Sequence, residues 1–95
     1  MGNVIGTISY DPVDHDLFAN LVYDRMKKHK FKLAEQPEYV DGKQSISVEI
    51  SGLYLWWYGE KNAKRDINQF LYYCENDLLR NGATGVEYNV IHLPM

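Results

Sequence analysis

The longest uninterrupted apolar run of this 95-residue sequence, at residues 53–58, contains its most distinctive side chains. Tyr54, Trp56 and Tyr58 alternate along the run, and Trp57 adds a fourth large ring. Tyr and Trp combine a large apolar area with a polar group, which makes them frequent anchors at protein interfaces. Aromatic residues make up 14% of the chain. The chemistry that this segment favours is therefore contact with a macromolecule.

Residues suited to catalysis or metal binding are few and isolated. Cys74 is the single cysteine, which excludes an intramolecular disulfide and a cysteine-rich zinc site. Asp14, His15 and Asp16 are consecutive, and consecutive side chains on a helix point in different directions. The sequence has no phosphate-binding loop, dinucleotide fingerprint, nucleophile elbow or HExxH motif. It therefore predicts no catalytic residue, no metal site and no cofactor.

Two segments with apolar residues at spacings of three and four predict helices. The first covers residues 12–30, with Asp11 as its N-cap, Pro12 in its first turn and lysines near its end, where cations complement the helix dipole. The second begins near Asn62 or Asp66 and ends just before a glycine. The buried side of this second helix is predicted to contain Ile67, Phe70, Leu71, Cys74 and Leu78.

Four segments predict strands. Residues 3–10 are rich in β-branched and aromatic side chains, and residues 45–51 and 85–93 alternate between apolar and polar side chains. Residues 53–58 follow a predicted tight turn and form a hairpin with residues 45–51. Within residues 33–44, which the sequence leaves open between strand and loop, a short strand and a favoured two-residue turn are predicted from Tyr39, Val40, Asp41 and Gly42.

The order strand, helix, strand, strand, helix, strand predicts one α+β domain over residues 1–95. It is the split βαβ, ferredoxin-like order, in which a four-stranded antiparallel sheet carries two helices on one face. The first and third strands are central in that topology, and residues 53–58 are apolar on both faces, as a central strand is. Gly6 lets a helix approach the first strand closely.

The hairpin register predicts which aromatic side chains the helices leave uncovered. Trp57 faces Ile46 and belongs to the core, whereas Tyr54, Trp56 and Tyr58 lie on the open face of the sheet. The predicted protein-binding site consists of Tyr54, Trp56, Tyr58, Ser47, Glu49 and Glu87. The same face has three alternative uses: self-association into a homodimer, coverage by residues 31–44, and stacking of single-stranded nucleic acid on the rings.

Charge and hydropathy limit the class of partner. The formal net charge is -3 and the isoelectric point is about 5.5, which argues against attachment to nucleic acid through phosphate neutralisation. The six-residue apolar run is far shorter than the ~20 residues that a membrane-spanning helix needs, so no membrane contact is predicted. A lone thiol is typical of a reducing compartment. These features predict a cytoplasmic protein with a protein partner.

Asp11 allows a second interpretation beside helix capping. The residues Ile8, Ser9, Tyr10 and Asp11 resemble the end of the first strand in the small CRISPR adaptation nucleases and their toxin relatives. In that ferredoxin-like family, the aspartate at this place binds metal at a dimer interface. The resemblance implies a metal-dependent nuclease in which two subunits each contribute Asp11. We prefer the N-cap because it accounts for Asp11 before Pro12.

The composition as a whole suggests a mode of action. A small, acidic, tyrosine-rich chain of one domain resembles phage-encoded inhibitors of host defence and the immunity proteins that neutralise toxins. The resemblance implies a non-enzymatic protein that blocks a macromolecular partner, such as a nucleic-acid-processing enzyme, by occupying its surface. In this interpretation the aromatic residues are anchors, and Glu49 and Glu87 meet a basic partner.

Overall fold

The computed structural model describes residues 2–29, 31–33 and 38–93. In these residues, five strands form one antiparallel sheet in the order β2-β4-β1-β5, and β3 pairs with β4 beside β2. In chain order the elements are β1 (Asn3–Tyr10), α1 (His15–Met26), β2 (Lys32–Leu33), β3 (Glu38–Val40), β4 (Lys43–Ser51), α2 (Gly52–Tyr58), α3 (Glu60–Arg80) and β5 (Glu87–Leu93).

The two central strands, β1 and β4, are paired along their whole length, from Asn3 opposite Ser51 to Tyr10 opposite Gln44. Both have further neighbours on their outer sides, so their apolar side chains facing the helices are fully enclosed. These side chains are at most 3% exposed, and they belong to Val4, Ile8, Ile46, Val48 and Ile50. The strand predicted for residues 3–10 and the alternation predicted for residues 45–51 are therefore confirmed.

Helix α1 begins three residues later than the sequence predicted. The carboxylate of Asp14 accepts a hydrogen bond from the Leu17 backbone N–H, at 3.3 Å, and caps the helix. The predicted N-cap role of Asp11 is therefore wrong. Two capping residues stand three positions apart, and the helix uses the later one. The helix ends at Met26 rather than near Lys30, which lies outside the described residues.

Helix α3 lies directly over the centre of the sheet at Gly6. A Cβ atom at Gly6 would overlap Ile67 Cγ2 and would stand 2.8 Å from Leu71 Cδ1, so only a glycine fits beneath the helix. The five residues predicted for the buried side of this helix are all 0% exposed. Arg25 joins α1 to α3 through a forked ion pair with Asp77, whose closest contact is 2.9 Å.

Residues 53–58 form part of helix α2, so the predicted third strand and its hairpin register are wrong. Both edges of β4 are already occupied, by β1 on one side and by β2 and β3 on the other, so no edge is free for a strand at 53–58. A six-residue apolar run does not distinguish a strand from a buried helix by its pattern. The central place predicted for residues 53–58 belongs to β4.

The α+β class and the antiparallel sheet with helices are confirmed, while the element order differs from the predicted one. The elements that the sequence did not predict are the short strand β2 and helix α2, whereas the short strand expected at Tyr39 and Val40 is present as β3. The predicted turn is present: Asp41 and Gly42 have φ angles of 53° and 80°, and they connect β3 to β4 with Val40 opposite Lys43. No helix in the described ranges has the length and apolarity needed to cross a membrane.

Candidate protein-binding site

Helix α2 holds two adjacent tryptophans on the surface of the protein. Trp56 is 71% exposed and Trp57 is 82% exposed, whereas Leu55 is only 5% exposed and belongs to the core. The helix packs against α3, β4 and β1. Leu55 and Tyr58 are three residues apart and therefore lie on the same, inward side of the helix. The two tryptophans between them are consequently turned outwards.

The end of α2 is tied to the start of α3. The Gly59 backbone N–H donates to the Leu55 carbonyl at 2.8 Å, and the Asn62 side-chain amide donates to the Tyr58 carbonyl at 2.8 Å. The Tyr58 hydroxyl donates to the Asp66 carboxylate and accepts from Arg65, at 3.3 Å for the second contact. The hydrogen bond with Asp66 raises the pKa of the Tyr58 hydroxyl. These contacts fix α2 against α3, and they thereby fix the position of the two tryptophans on the surface.

This arrangement corrects the aromatic part of the predicted site. Trp57, which the hairpin register predicts to lie in the core, is the most exposed large apolar side chain among the described residues. Trp56 is exposed as predicted, but on α2 rather than on the sheet, and Tyr58 is half-buried against α3. Tyr54 lies in α2, and its side chain is outside the described part. The six predicted residues are therefore not one surface.

The open face of the sheet is polar at its centre. The hydroxyls of Thr7 and Ser47 are 2.8 Å apart and share a hydrogen bond, and Ser47 is only 7% exposed. Two shallow depressions of about 510 and 430 Å³ lie on this side, and both are lined by Ser9 and Glu87. The side chains at the centre of this face are small and bear hydroxyl groups, and the aromatic residue that lines the larger of the two depressions, Tyr88, is half-buried. This face is a weak docking surface compared with α2.

The two predicted acidic contacts have partners within the chain. Glu87 lies 3.3 Å from the ammonium group of Lys43, which also donates to the Gly85 carbonyl at 2.7 Å. Glu49 accepts a hydrogen bond from the Asn3 side-chain amide at 3.3 Å. Glu49 and Glu87 are therefore already engaged within the chain, and a basic partner would have to compete with these contacts, which are weak at the protein surface.

Asp11 is joined to the loop before β5. Its carboxylate accepts from the Thr84 hydroxyl at 2.9 Å, and its backbone N–H donates to the Thr84 carbonyl at 3.0 Å. A Cβ atom at Gly85 would lie 2.6 Å from this carboxylate, so the loop passes directly against it. Among the residues that the structure describes, no group of three or more His, Cys, Asp or Glu side chains is arranged to hold a metal ion. The structural role of Asp11 is therefore to hold the loop before β5 through its two hydrogen bonds with Thr84.

Sequence reasoning missed the exposure of Trp57 and of Leu93, which is 47% exposed on β5, whereas Ile91, 45% exposed, lies on the open face to which the strand alternation assigns it. The signal for Trp57 was present in the spacing of Leu55 and Tyr58, which assigns the residues between them to the outside of a helix. The signal for β5 was its place in the predicted ferredoxin-like topology, where the last strand of the chain lies at the edge of the sheet. An edge strand has a neighbour on one side only, so its side chains are more exposed.

No protein-family model matches the sequence, and no curated protein matches it. Solved structures are similar in fold. The de novo designed protein Foldit4 has a TM-score of 0.58 at 9% identity, over 100% of this chain and 99% of its own. The de novo designed protein LFR1 1 with ferredoxin fold has a TM-score of 0.57 at 15% identity, over 100% of this chain and 88% of its own. These similarities concern the ferredoxin-like arrangement alone.

Proposed function

We propose that this protein is a non-enzymatic binding protein that occupies the surface of a protein partner through Trp56 and Trp57. The observation that carries the proposal is the exposure of these two adjacent tryptophans, 71% and 82%, on a helix whose Leu55 is buried in the core. A large apolar ring in water is costly unless a partner covers it. The expected binding surface is an apolar pocket that accepts indole rings.

The support beneath the tryptophans favours tight contact. The bonds from Gly59 to Leu55 and from Asn62 to Tyr58 order α2 before any partner arrives, so little conformational entropy is lost on binding. A tryptophan at the centre of a protein interface contributes about 2 kcal/mol or more when truncation to alanine is measured. Two such residues account for a large share of a typical affinity.

The mode of action that fits this surface is steric blockade. The partner classes that we propose are host-defence or nucleic-acid-processing proteins, or toxins in the manner of immunity proteins. Because Glu49 and Glu87 already contact Asn3 and Lys43, aromatic contact is the leading interaction and attraction to a basic partner is the lesser one. A metal-dependent nuclease using Asp11 is the weaker proposal, because Asp11 is engaged with Thr84.

The proposal is tested by comparing matched variants in affinity capture from the native host. Wild-type protein and the double variant Trp56→Ala, Trp57→Ala are immobilised beside Tyr72→Ala, which removes an exposed ring elsewhere, on α3. We expect one partner to be retained by wild type and by Tyr72→Ala, and to be lost with the double variant. With the purified partner, each tryptophan substitution should raise the dissociation constant by about 30-fold.

Equal retention of the partner by all three proteins would show that the tryptophans are not the binding surface. A fluorescence titration with a single-stranded oligonucleotide is the second control, since stacking of bases would quench the exposed tryptophans in a salt-dependent manner. We expect no such quenching. Saturable quenching that weakens with salt would show that the exposed tryptophans bind nucleic acid rather than a protein partner.

A further inference from the structure

The two edges of the sheet differ in how they are protected against pairing with another strand. Within the described ranges, one edge of β4 carries the short strands β2, of two residues, and β3, of three residues. Strand β5 forms the opposite edge over seven residues, and its outer side has no strand partner within the described part of the chain. Natural edge strands are usually shortened, or interrupted by proline or lysine. Strand β5 contains neither residue.

The apolar layer between sheet and helices is incomplete at β5. On β1 the residues facing the helices, Val4 and Ile8, are 0% and 1% exposed. On β5 the corresponding residues, Tyr88, Val90 and His92, are half-buried. Their packing against the core is therefore one-sided, and it leaves room for a neighbouring strand that carries the same kind of side chains.

We infer that a second copy of this chain pairs with β5 in the antiparallel sense, about a two-fold axis at Val90. Exposed and half-buried residues alternate along β5, beginning and ending with an exposed one. A second β5 in this register therefore matches exposed with exposed and half-buried with half-buried residues at all seven positions. The facing pairs are Val90 with Val90, Tyr88 with His92, Asn89 with Ile91, and Glu87 with Leu93.

The charges of the strand are compatible with this dimer. The two copies of Glu87 stand at opposite ends of the paired strands, about 20 Å apart from six residue steps of about 3.3 Å each. This separation is about twice the screening length of roughly 8–10 Å in physiological salt. Glu87 is also neutralised by Lys43 at 3.3 Å, and His92 contacts Glu60 at 3.0 Å within its own chain. No like charges face one another across the axis.

The expected affinity follows from the size of the contact. Stable interfaces bury about 1,200–2,000 Å² in total, and one pair of seven-residue strands with its side chains lies below that range. The dimer should therefore form with a dissociation constant of about 10 μM to 1 mM. Backbone hydrogen bonds along β5 supply the pairing, and burial of Ile91 and Leu93, which are 45% and 47% exposed, adds to it.

Sedimentation equilibrium over about 10 μM to 2 mM tests the dimer directly. Wild type should shift from 11.1 kDa towards twice that mass. The double variant Asn89→Lys, Ile91→Lys places like charges opposite one another across the axis and should weaken the dimer at least about tenfold. The double variant Asn89→Lys, Ile91→Glu places opposite charges there and should restore it. The matched control is Val40→Lys on β3, 46% exposed, which should leave the dimer unchanged.

Wild type that stays at 11.1 kDa at every concentration overturns the inference. A dimer that ignores the charge pattern at Asn89 and Ile91 overturns it as well, because the association then uses another surface. The inference is independent of the proposed function. The double variant Trp56→Ala, Trp57→Ala should still dimerise, and the Asn89→Lys, Ile91→Lys variant should still bind the protein partner.

Discussion

Two aromatic regions of this protein are built from similar side chains and behave in opposite ways. In the first, which we name the ring cluster, the His29 and Phe31 rings are stacked at 5.2 Å, and both meet Phe70 edge-on at 5.3 and 5.2 Å. Phe70 is 0% exposed. In the second, Trp56 and Trp57 stand on α2 and are mostly in water.

The difference between the regions lies in what surrounds each ring. The ring cluster forms where the residues following α1 meet α3, so helix α3 covers one side of it. Helix α2 has only seven residues, and its single inward turn is filled by Leu55 and Tyr58. Apolar area in the ring cluster therefore stabilises the fold, whereas the same kind of area on α2 remains available for a partner.

The largest expected effect is the loss of the central ring of the cluster. Phe70→Ala removes a fully buried phenyl ring and leaves a cavity that the surrounding side chains only partly fill, so the free energy of unfolding should fall by about 3–5 kcal/mol. Urea unfolding followed by circular dichroism measures it. Phe70→Leu should lose less, since more volume is kept. A loss below about 1 kcal/mol for the alanine variant would contradict the burial of Phe70.

A smaller effect is expected from the pH dependence of the same cluster. Burial, followed by the positive charges of Arg25 and Lys28, lowers the pKa of His29 below its ordinary value of 6.5. Between the lower pKa of the folded state and 6.5, the unfolded chain binds a proton at His29 that the folded protein does not. The contribution of neutral His29 to stability is therefore complete above pH 6.5, and it is lost as the pH falls through the pKa of the folded state.

Thermal unfolding at about pH 7.5 and about pH 5 measures this dependence in wild type and His29→Phe. The variant keeps a ring against Phe31 and removes the titrating group. Wild type should lose more stability than His29→Phe on acidification. Identical losses would show that His29 titrates alike in the folded and unfolded states.

The smallest effect is expected on α2. Trp57→Ala changes a side chain that is 82% exposed, so the free energy of unfolding should stay within about 0.5 kcal/mol of wild type. The same urea titration measures it beside Phe70→Ala. A loss above about 2 kcal/mol would instead place Trp57 in the core, where the alternation of residues 53–58 predicted it.

Long patterns were read correctly from the sequence, and contacts between distant residues were not. The buried side of α3 recurs from Ala63 to Leu78, over about four turns, so this pattern is sufficient to predict its five large apolar residues. The N-cap role predicted for Asp11 is wrong because its side-chain partner, Thr84, is 73 residues away in the sequence. No local pattern predicts a hydrogen bond over that separation. Residue 14 offered an equally good cap, and the chain used it.

Local patterns were enough to predict strand β1, the alternation of β4 and β5, the apolar side of α3, the Asp41-Gly42 turn and the close approach at Gly6. The period of the side chains and the conformational freedom of the backbone depend on residues that are close together in the sequence, so they can be predicted without the tertiary structure. The helix at residues 53–58, with Trp56 and Trp57 on its outer side, follows instead from how the whole chain packs. A strand needs an unoccupied edge, and both edges of β4 were taken by segments that precede it in the chain.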